Sequence, residues 1–184
     1  DKLILNSSIN YEDISFIATT VGPGAFTGLR IGIACAKALG LSLQVPVIGL
    51  TTLEVLAFQY LEDRKLTSDQ QLGVILETKR KDYYFQTFNG NGDELSEPMA
   101  QNINYILDVL KSKSTILIGD GLERLTNDNI ETNHEFDLSY SHIKPDALAR
   151  SAIKKMESLD INFLPKVRPL YLRDADVSKP KKAI

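Results

Sequence analysis

The sequence predicts an α/β fold in which strands and helices alternate along 184 residues. Three observations lead to this prediction. Short apolar runs of strand composition alternate with longer helical segments, a glycine-rich turn stands where the first strand feeds a helix, and several strand-like runs follow a polar segment. Periodicity alone gives no class finer than mixed α/β.

The first part of the chain is expected to contain two strands, each followed by a helix. The expected strands are residues 14–21 and 47–50, and the expected helices are residues 27–44 and 51–61. The second helix has the clearer start, because Thr51 and Glu54 form a Thr-x-x-Glu capping box.

A polar segment, residues 62–71, interrupts the periodicity and is the expected linker between a first unit, residues 1–61, and a second unit, residues 72–184. The strands expected in the second unit are residues 72–78, 83–89, 94–99, 114–119 and 136–140. The helices expected there are residues 103–111, a short helix after Gly121, and residues 145–159 with Pro145 at the first position. The first three of these strands form an antiparallel meander in this interpretation.

The most informative feature is residues 21–32, which read Val-Gly-Pro-Gly-Ala-Phe-Thr-Gly-Leu-Arg-Ile-Gly. One interpretation is a tight strand-to-helix connection, in which glycines adopt special dihedrals and Pro23 stiffens the bend. The other is a loop that binds an anion or a partner, because a helix N-terminus presents unpaired N–H groups. Two common phosphate motifs are excluded, since Thr27 stands where both a Walker A loop and a dinucleotide fingerprint place a further glycine.

Thr27 is expected to cap the helix through its hydroxyl. Arg30 then lies in the first helical turn, where the helix dipole disfavours a cation, so an anionic neighbour is expected. That neighbour is a carboxylate of this chain, a carboxylate of a partner, or a phosphate. The candidate site for a partner or an anion therefore comprises Gly22, Pro23, Gly24, Thr27 and Arg30.

A stripe of small residues repeats every four positions in the same helix: Gly28, Gly32, Ala36 and Gly40. This spacing is expected to give a smooth groove along one helix face, where another backbone comes close. The groove serves either internal packing or a partner. Cys35, the sole cysteine, excludes an internal disulfide and is expected to be a buried apolar thiol.

Composition excludes several classes of function. A net charge of -3 and a pI near 5.4 give no basic field for a polyanion. The only histidines, His134 and His142, lack the spacing of a helical metal pair, so neither a metal nor a cofactor is expected. No apolar run reaches about 18 residues, so a cytoplasmic location without a membrane is expected. The basic residues 179–182 are expected to be a solvated tail.

The residues around the turn closely resemble the TsaB (YeaZ) family. The resemblance runs from Gly22 to Gly32, through Ala36-Lys37-Ala38-Leu39, to residues 45–54, and includes Gly119-Asp120-Gly121 and the late Pro-Leu-Tyr-Leu-Arg at 169–173. It implies the actin-like ATPase fold of two RNase H-like halves, with the first half incomplete. It also implies a non-catalytic subunit that pairs with TsaD and supports threonylcarbamoyl transfer to adenosine in tRNA.

The partners implied are a TsaD-like catalytic subunit, a second copy of this chain, and a TsaE-like ATPase reached through the complex, with tRNA contacted only indirectly. Members of the family pair through their first two helices. The stripe of Gly28, Gly32, Ala36 and Gly40 is therefore expected to face or to support that interface. TsaD carries a metal-binding histidine pair that this chain lacks.

The chain departs from the family pattern in three places. Ala25 replaces the usual serine, and residues 77–84 read Glu-Thr-Lys-Arg-Lys-Asp-Tyr-Tyr where the family more often has Asp-Ala-Arg and then Glu-Val-Tyr. The sequence also begins near the end of the family's first helix, so it is expected to be a fragment. The alternative is an ATPase or sugar-kinase-like enzyme with residues 119–121 near a phosphate, while a glycoprotease is disfavoured because metal ligands and a catalytic triad are missing.

Overall fold

The computed structural model describes residue 4 and residues 6–130, 132–158 and 166–173. Its strands are β1 (Ile17–Gly22), β2 (Val47–Thr51), β3 (Gln70–Glu77), β4 (Tyr83–Phe88), β5 (Met99–Gln101), β6 (Ser114–Ile118) and β7 (Glu135–Asp137). Its α-helices are α1 (Phe26–Leu43), α2 (Thr52–Asp63), α3 (Ile103–Leu110), α4 (Gly121–Asn127) and α5 (Pro145–Ser158). Two short 3₁₀ helices lie at Tyr11–Asp13 and Leu138–Tyr140. The alternation confirms the predicted α/β class.

The second half of the chain forms a five-stranded sheet in the order β5-β4-β3-β6-β7. Strand β4 is antiparallel to both of its neighbours, whereas β3, β6 and β7 are parallel. This is the strand order of the RNase H-like half that the resemblance implies. The third strand of the meander was placed too early, since pairing near residue 94 is limited to one isolated bridge between Phe88 and Glu94.

Strand β3 lies at the centre of this sheet and is buried on both faces. One face packs against α2, in a cluster that contains Leu53, Leu56, Tyr60, Leu72, Val74, Phe88 and Ile118. The other face packs against α3 and α4, in a cluster that contains Ile75, Phe85, Ile106, Leu110, Leu117 and Leu122. Because alternate residues of a strand point to opposite faces, one apolar run supplies both clusters. Helix α2 thereby joins the first half of the chain to the second.

The first half contains two parallel strands, β1 and β2, connected by α1. A smaller cluster joins β2 to α2 and α5 through Ile48, Leu50, Val55 and Ala152. Helix α1 packs on β1, and only Ile33, Ala36 and Gly40 of its 18 residues are buried.

The helix starts test the capping predictions. Thr51 is the N-cap of α2 and its hydroxyl accepts from the Glu54 amide at 2.9 Å, as expected. The Glu54 carboxylate does not complete the box, because it accepts instead from Lys155 Nζ at 2.8 Å. The prediction for Thr27 was wrong: α1 begins one residue earlier and its N-cap is Ala25, without a side-chain hydrogen bond. Pro145 opens α5 as predicted.

Helix α1 is long and apolar enough to cross a membrane by length and composition alone, which corrects the expectation that no such segment exists. No uninterrupted apolar run of this length is present in the sequence, because Arg30 and Lys37 divide the helix. The mostly buried core helix of a soluble protein and a signal sequence pass the same test, and 17% of α1 is buried.

Candidate functional site: two clefts beside the glycine-rich turn

The glycine-rich turn is held by a segment from the far end of the chain. Residues 166–173 run beside β1, where the Leu170 amide donates to the Val21 carbonyl at 2.7 Å. Gly22 has a φ of +114°, and a Cβ there would lie 3.0 Å from the Leu170 carbonyl oxygen. Glycine is therefore required both by the backbone conformation and by the close approach of this segment. We call residues 166–173 the strap.

The remaining loop residues line clefts or tie the loop to its neighbours. The Pro23 carbonyl accepts from Thr52 Oγ1 at 2.8 Å, which joins the loop to the start of α2. Gly24 lies on the wall of two separate clefts. Thr27 is exposed on the first turn of α1. Whether an anion or a partner binds this loop stays a prediction.

The groups that contact Arg30 are two aromatic side chains, not the anion that the sequence led us to expect. Its guanidinium lies 3.8 Å from the centre of the Phe26 ring, and its Nε donates to the Tyr171 hydroxyl at 2.8 Å. The two aromatic rings stack, with centroids 5.5 Å apart and planes inclined by 30°. Because α1 starts at Phe26, Arg30 also lies one turn into the helix, where the dipole penalty has weakened. Aromatic rings and a hydroxyl thus stabilise the cation.

The first cleft, which we call the aromatic cleft, has a volume of about 830 Å³ and opens beside this cluster. It lies between the start of α1, the strap and the turn that joins β3 to β4. The residues that line it are Gly24, Phe26, Leu29, Arg30, Thr78, Arg80, Lys81, Tyr84, Leu170, Tyr171, Leu172 and Arg173. Four of these are cations and none is a carboxylate, which contrasts with the net charge of -3 of the whole chain.

Two arginines hold the cleft walls in place. Arg124 donates to the Tyr83 hydroxyl at 2.7 Å and to the backbone carbonyls of Arg80 and Asp82, and it pairs with the Glu77 carboxylate at 3.1 Å. Arg173 of the strap forms an ion pair with Asp82. The β3–β4 turn, where the sequence departs from the family pattern, is therefore anchored from two sides.

The second cleft, which we call the inter-half cleft, has a volume of about 550 Å³. Its walls come from the glycine-rich turn, α2 and the second half of the chain, and its polar residues include Glu77, Asp120 and His142. Asp120 accepts from the Glu77 amide at 2.8 Å. Burial raises the pKa of the Asp120 carboxyl, against the opposing effects of that hydrogen bond and of His142.

The four small residues of α1 do not form the expected continuous groove. Gly28 and Gly32 are exposed, whereas Ala36 and Gly40 are buried, and a Cβ on Gly40 would overlap the side chain of Val47 in β2. The physical reason is the helical period, because a step of four residues rotates about 40° and three steps rotate about 120° around the axis. The stripe therefore begins on the exposed side of α1 at Gly28 and ends at Gly40, on the side that packs against β2. At Ala36 and Gly40, only a supporting role in an interface is compatible with this placement.

The apolar surface that α1 does expose lies on its outer face. Ile31 is 60% exposed, Leu39 is 45% exposed and Leu41 is 83% exposed. Cys35 lies between the first two at a spacing of four residues and is also exposed, so the prediction of a buried thiol was wrong. We call these four residues the outer face of α1. The sequence signal for this face is the spacing of Ile31, Cys35 and Leu39 at four residues, next to the stripe of small residues.

No cluster of three or more metal-ligating side chains occurs among the residues that the structure describes. His134 lies just before β7, and its pKa is lowered by burial. His142 lies in the inter-half cleft beside Ser141, with Oγ and Nδ1 separated by 2.9 Å. The basic residues 179–182 lie outside the described residues.

The chain matches one protein-family model over residues 1–156, and that family is described as TsaD: tRNA N6-adenosine threonylcarbamoyltransferase. Proteins named tRNA threonylcarbamoyladenosine biosynthesis protein TsaB are among its relatives. The protein from Buchnera aphidicola subsp. Schizaphis graminum is 33% identical over 135 residues, which are 70% of this chain and 62% of the relative. The protein from Buchnera aphidicola subsp. Baizongia pistaciae is 28% identical over 183 residues, which are 94% of this chain and 79% of the relative.

Solved structures show the same fold at lower sequence identity. The structure titled "YeaZ from Pseudomonas aeruginosa" has a TM-score of 0.71 at 18% identity and covers 92% of this chain and 79% of its own. A second structure, of an uncharacterized protein with similarity to peptidase YEAZ from Pseudomonas aeruginosa, has a TM-score of 0.67 at 20% identity over 94% and 80% of the two chains. The chain belongs to the family described as TsaD, tRNA N6-adenosine threonylcarbamoyltransferase, and within it to the TsaB (YeaZ) proteins.

Proposed function

We propose that this chain acts in tRNA threonylcarbamoyladenosine biosynthesis as a subunit that pairs with a TsaD-type protein. Two relatives that carry the TsaB name support the pathway. The single structural observation that supports pairing is the outer face of α1, where apolar side chains lie exposed along a helix of 18 residues. Exposed apolar patches of this kind mark protein interaction sites.

The subunit is non-catalytic in this proposal. The Ser141 hydroxyl lies 2.9 Å from His142 Nδ1, but the two residues are adjacent in an exposed segment, and no side chain that orients the ring is hydrogen-bonded to it in the part of the chain that the structure describes. The acidic net charge gives the chain no extended surface for tRNA, so tRNA contacts fall to the partner. A second copy of this chain and a TsaE-like ATPase are further proposed partners, and the cytoplasm is the proposed location.

The test uses the full chain and a TsaD-type protein in co-purification. Leu39→Lys places a charge on the outer face of α1 at a residue that is 45% exposed, and Ile153→Lys is the matched control on α5 at the same exposure. We expect Leu39→Lys to abolish co-purification and Ile153→Lys to leave it intact, with both variants folded. Equal pairing by both variants would contradict the proposed surface. A modification assay on tRNA, with each protein alone and with both, tests the pathway.

The inter-half cleft supports a second candidate function, an ATPase or sugar-kinase-like activity. Asp120 and Glu77 line it, and Asp120 is the central residue of Gly119-Asp120-Gly121, the segment expected near a phosphate in this alternative. Calorimetry of the full-length protein with ATP and magnesium separates the two functions. Turnover of ATP by the protein alone would favour the enzyme and contradict the non-catalytic assignment.

A further inference from the structure

The aromatic cleft combines exposed aromatic rings with an arginine that has unused donors, in addition to the contacts by which Arg30, Phe26 and Tyr171 join the strap to α1. Phe26 is 50% exposed and Tyr171 is 47% exposed, so about half of the surface of each aromatic residue remains open to a ligand. The Arg30 guanidinium lies against Phe26 and donates through Nε, while its two Nη groups have no other partner among the described residues. Four donor N–H bonds of one arginine are thus available at the cleft.

The positive charge of this cleft is concentrated on one side of an acidic chain. Arg30 lines the cleft from α1, Lys81 lines it from the β3–β4 turn, and Arg173 lines it from the strap. The charge of Arg173 is offset by its ion pair with Asp82, so Arg30 and Lys81 carry the argument for an anion. The nearest carboxylate on the turn, Asp82, is already paired with Arg173 and accepts from Thr78 Oγ1 at 3.0 Å. A cleft lined by one sign of charge focuses its field and attracts small ions of the opposite sign.

We propose that the aromatic cleft binds a nucleoside phosphate. Aromatic rings layered with an arginine present a surface on which a planar base stacks, and free guanidinium N–H bonds fit phosphate oxygens in pairs. Leu29, Leu170 and Leu172 add apolar surface to the lining, and a volume of about 830 Å³ holds one nucleotide. This inference is independent of the proposed pairing with a TsaD-type protein.

The site is separate from the inter-half cleft in its chemistry. The inter-half cleft offers two carboxylates, Glu77 and Asp120, against one lysine, Lys79, so its lining is less favourable to a phosphate. The aromatic cleft offers cations and stacked rings without a carboxylate in its lining. The two clefts share Gly24 and Tyr84, so variants must be chosen from residues that line only one of them.

Calorimetry of the full chain with AMP, ADP, adenosine and inorganic phosphate tests the proposal. We expect AMP and ADP to bind more tightly than adenosine or phosphate alone, because ring and phosphate contacts then add. Arg30→Gln and Tyr171→Ala should each weaken AMP binding about tenfold, as expected for loss of a charge-assisted contact or of one stacking platform. Lys154→Gln is the matched control, since that cation lies near another ring, Phe58, in a different cleft.

Four outcomes would overturn the proposal. The first is no binding of AMP or ADP at millimolar concentration, and the second is binding that Arg30→Gln leaves unchanged. The third is binding lost on Asp120→Asn and retained on Arg30→Gln, which would place the nucleotide in the inter-half cleft. A far tighter affinity for single-stranded RNA with none for mononucleotides would also overturn it. Circular dichroism of each variant separates loss of binding from loss of fold.

Discussion

The two halves of the chain differ in how completely they bury their apolar side chains. In the second half, β3 is covered by helices on both faces, and its neighbours Phe85, Ile106 and Leu117 are completely buried. In the first half, α1 covers β1 with one face and leaves Ile31, Leu39 and Leu41 exposed. The second half thus completes its own core. The first half ends in an apolar surface, and this difference is the physical basis for proposing a partner there.

The largest effect expected from this comparison concerns core side chains. Phe85→Ala should destabilise the fold by about 3–5 kcal/mol, because it leaves a cavity at the centre of the second half. Leu41→Ala, on a residue that is 83% exposed, should change the free energy of unfolding by about 0.5 kcal/mol or less. Urea denaturation of both variants measures the contrast. Similar losses would mean that α1 is packed more tightly than the structure shows.

The next effect distinguishes the two ends of the α1 stripe. Gly40→Ala should destabilise by about 1–3 kcal/mol, because the new Cβ meets Val47 and the Val45 carbonyl. Gly28→Ala should stabilise by up to about 1 kcal/mol, since its Cβ reaches only Ala25 at 4.0 Å and alanine favours the helix. Thermal unfolding of the pair checks the winding of the stripe. Equal shifts of both variants would contradict it.

A smaller effect tests the joint between the halves. Thr51→Ala should cost about 1 kcal/mol, because the Glu54 amide at the start of α2 loses its side-chain acceptor. Thr51→Ser retains a hydroxyl and serves as the control. Denaturant midpoints of the two variants provide the measurement, and a serine variant as unstable as the alanine variant would rule out a capping role.

The smallest effect is a change in pH dependence at the inter-half cleft. Burial raises the pKa of Asp120 above its ordinary value of 3.8, so the folded chain binds this proton more tightly than the unfolded chain. Stability therefore falls as pH rises from about 3.8 through the raised pKa. Asp120→Asn keeps an acceptor for the Glu77 amide and removes the charge, so it should lose this decline. The free energy of unfolding of the unchanged chain and of Asp120→Asn is measured from about pH 3.8 upward. The same pH dependence in both proteins would show that the pKa of Asp120 is not raised by folding.

Local signals in the sequence were sufficient for much of the fold. Residues next to one another determine an N-cap such as Thr51 or a first-turn proline such as Pro145, and both positions were confirmed. The second half of the predicted capping box was not, because the Glu54 carboxylate accepts from Lys155, which is distant in sequence. The third strand of the second sheet was misplaced, because its position depends on pairing with β4.

The candidate site depended on contacts that no local pattern reveals. The partner of Arg30 is Tyr171, 141 residues further along the chain. Arg173 likewise pairs with Asp82 across the strap. Cys35 is exposed because the opposite side of α1 faces β1. The helical period alone does not determine which side is buried, because small residues occur on both sides of this helix.

Alkylation of Cys35 tests the central claim most directly, because this single thiol reports from the middle of the outer face of α1. The rate is measured with iodoacetamide on the full chain, alone over a dilution series and with a TsaD-type protein added. We predict ready alkylation of the dilute chain and strong protection in the complex. A complex that forms while the thiol reacts at its unprotected rate would contradict the account.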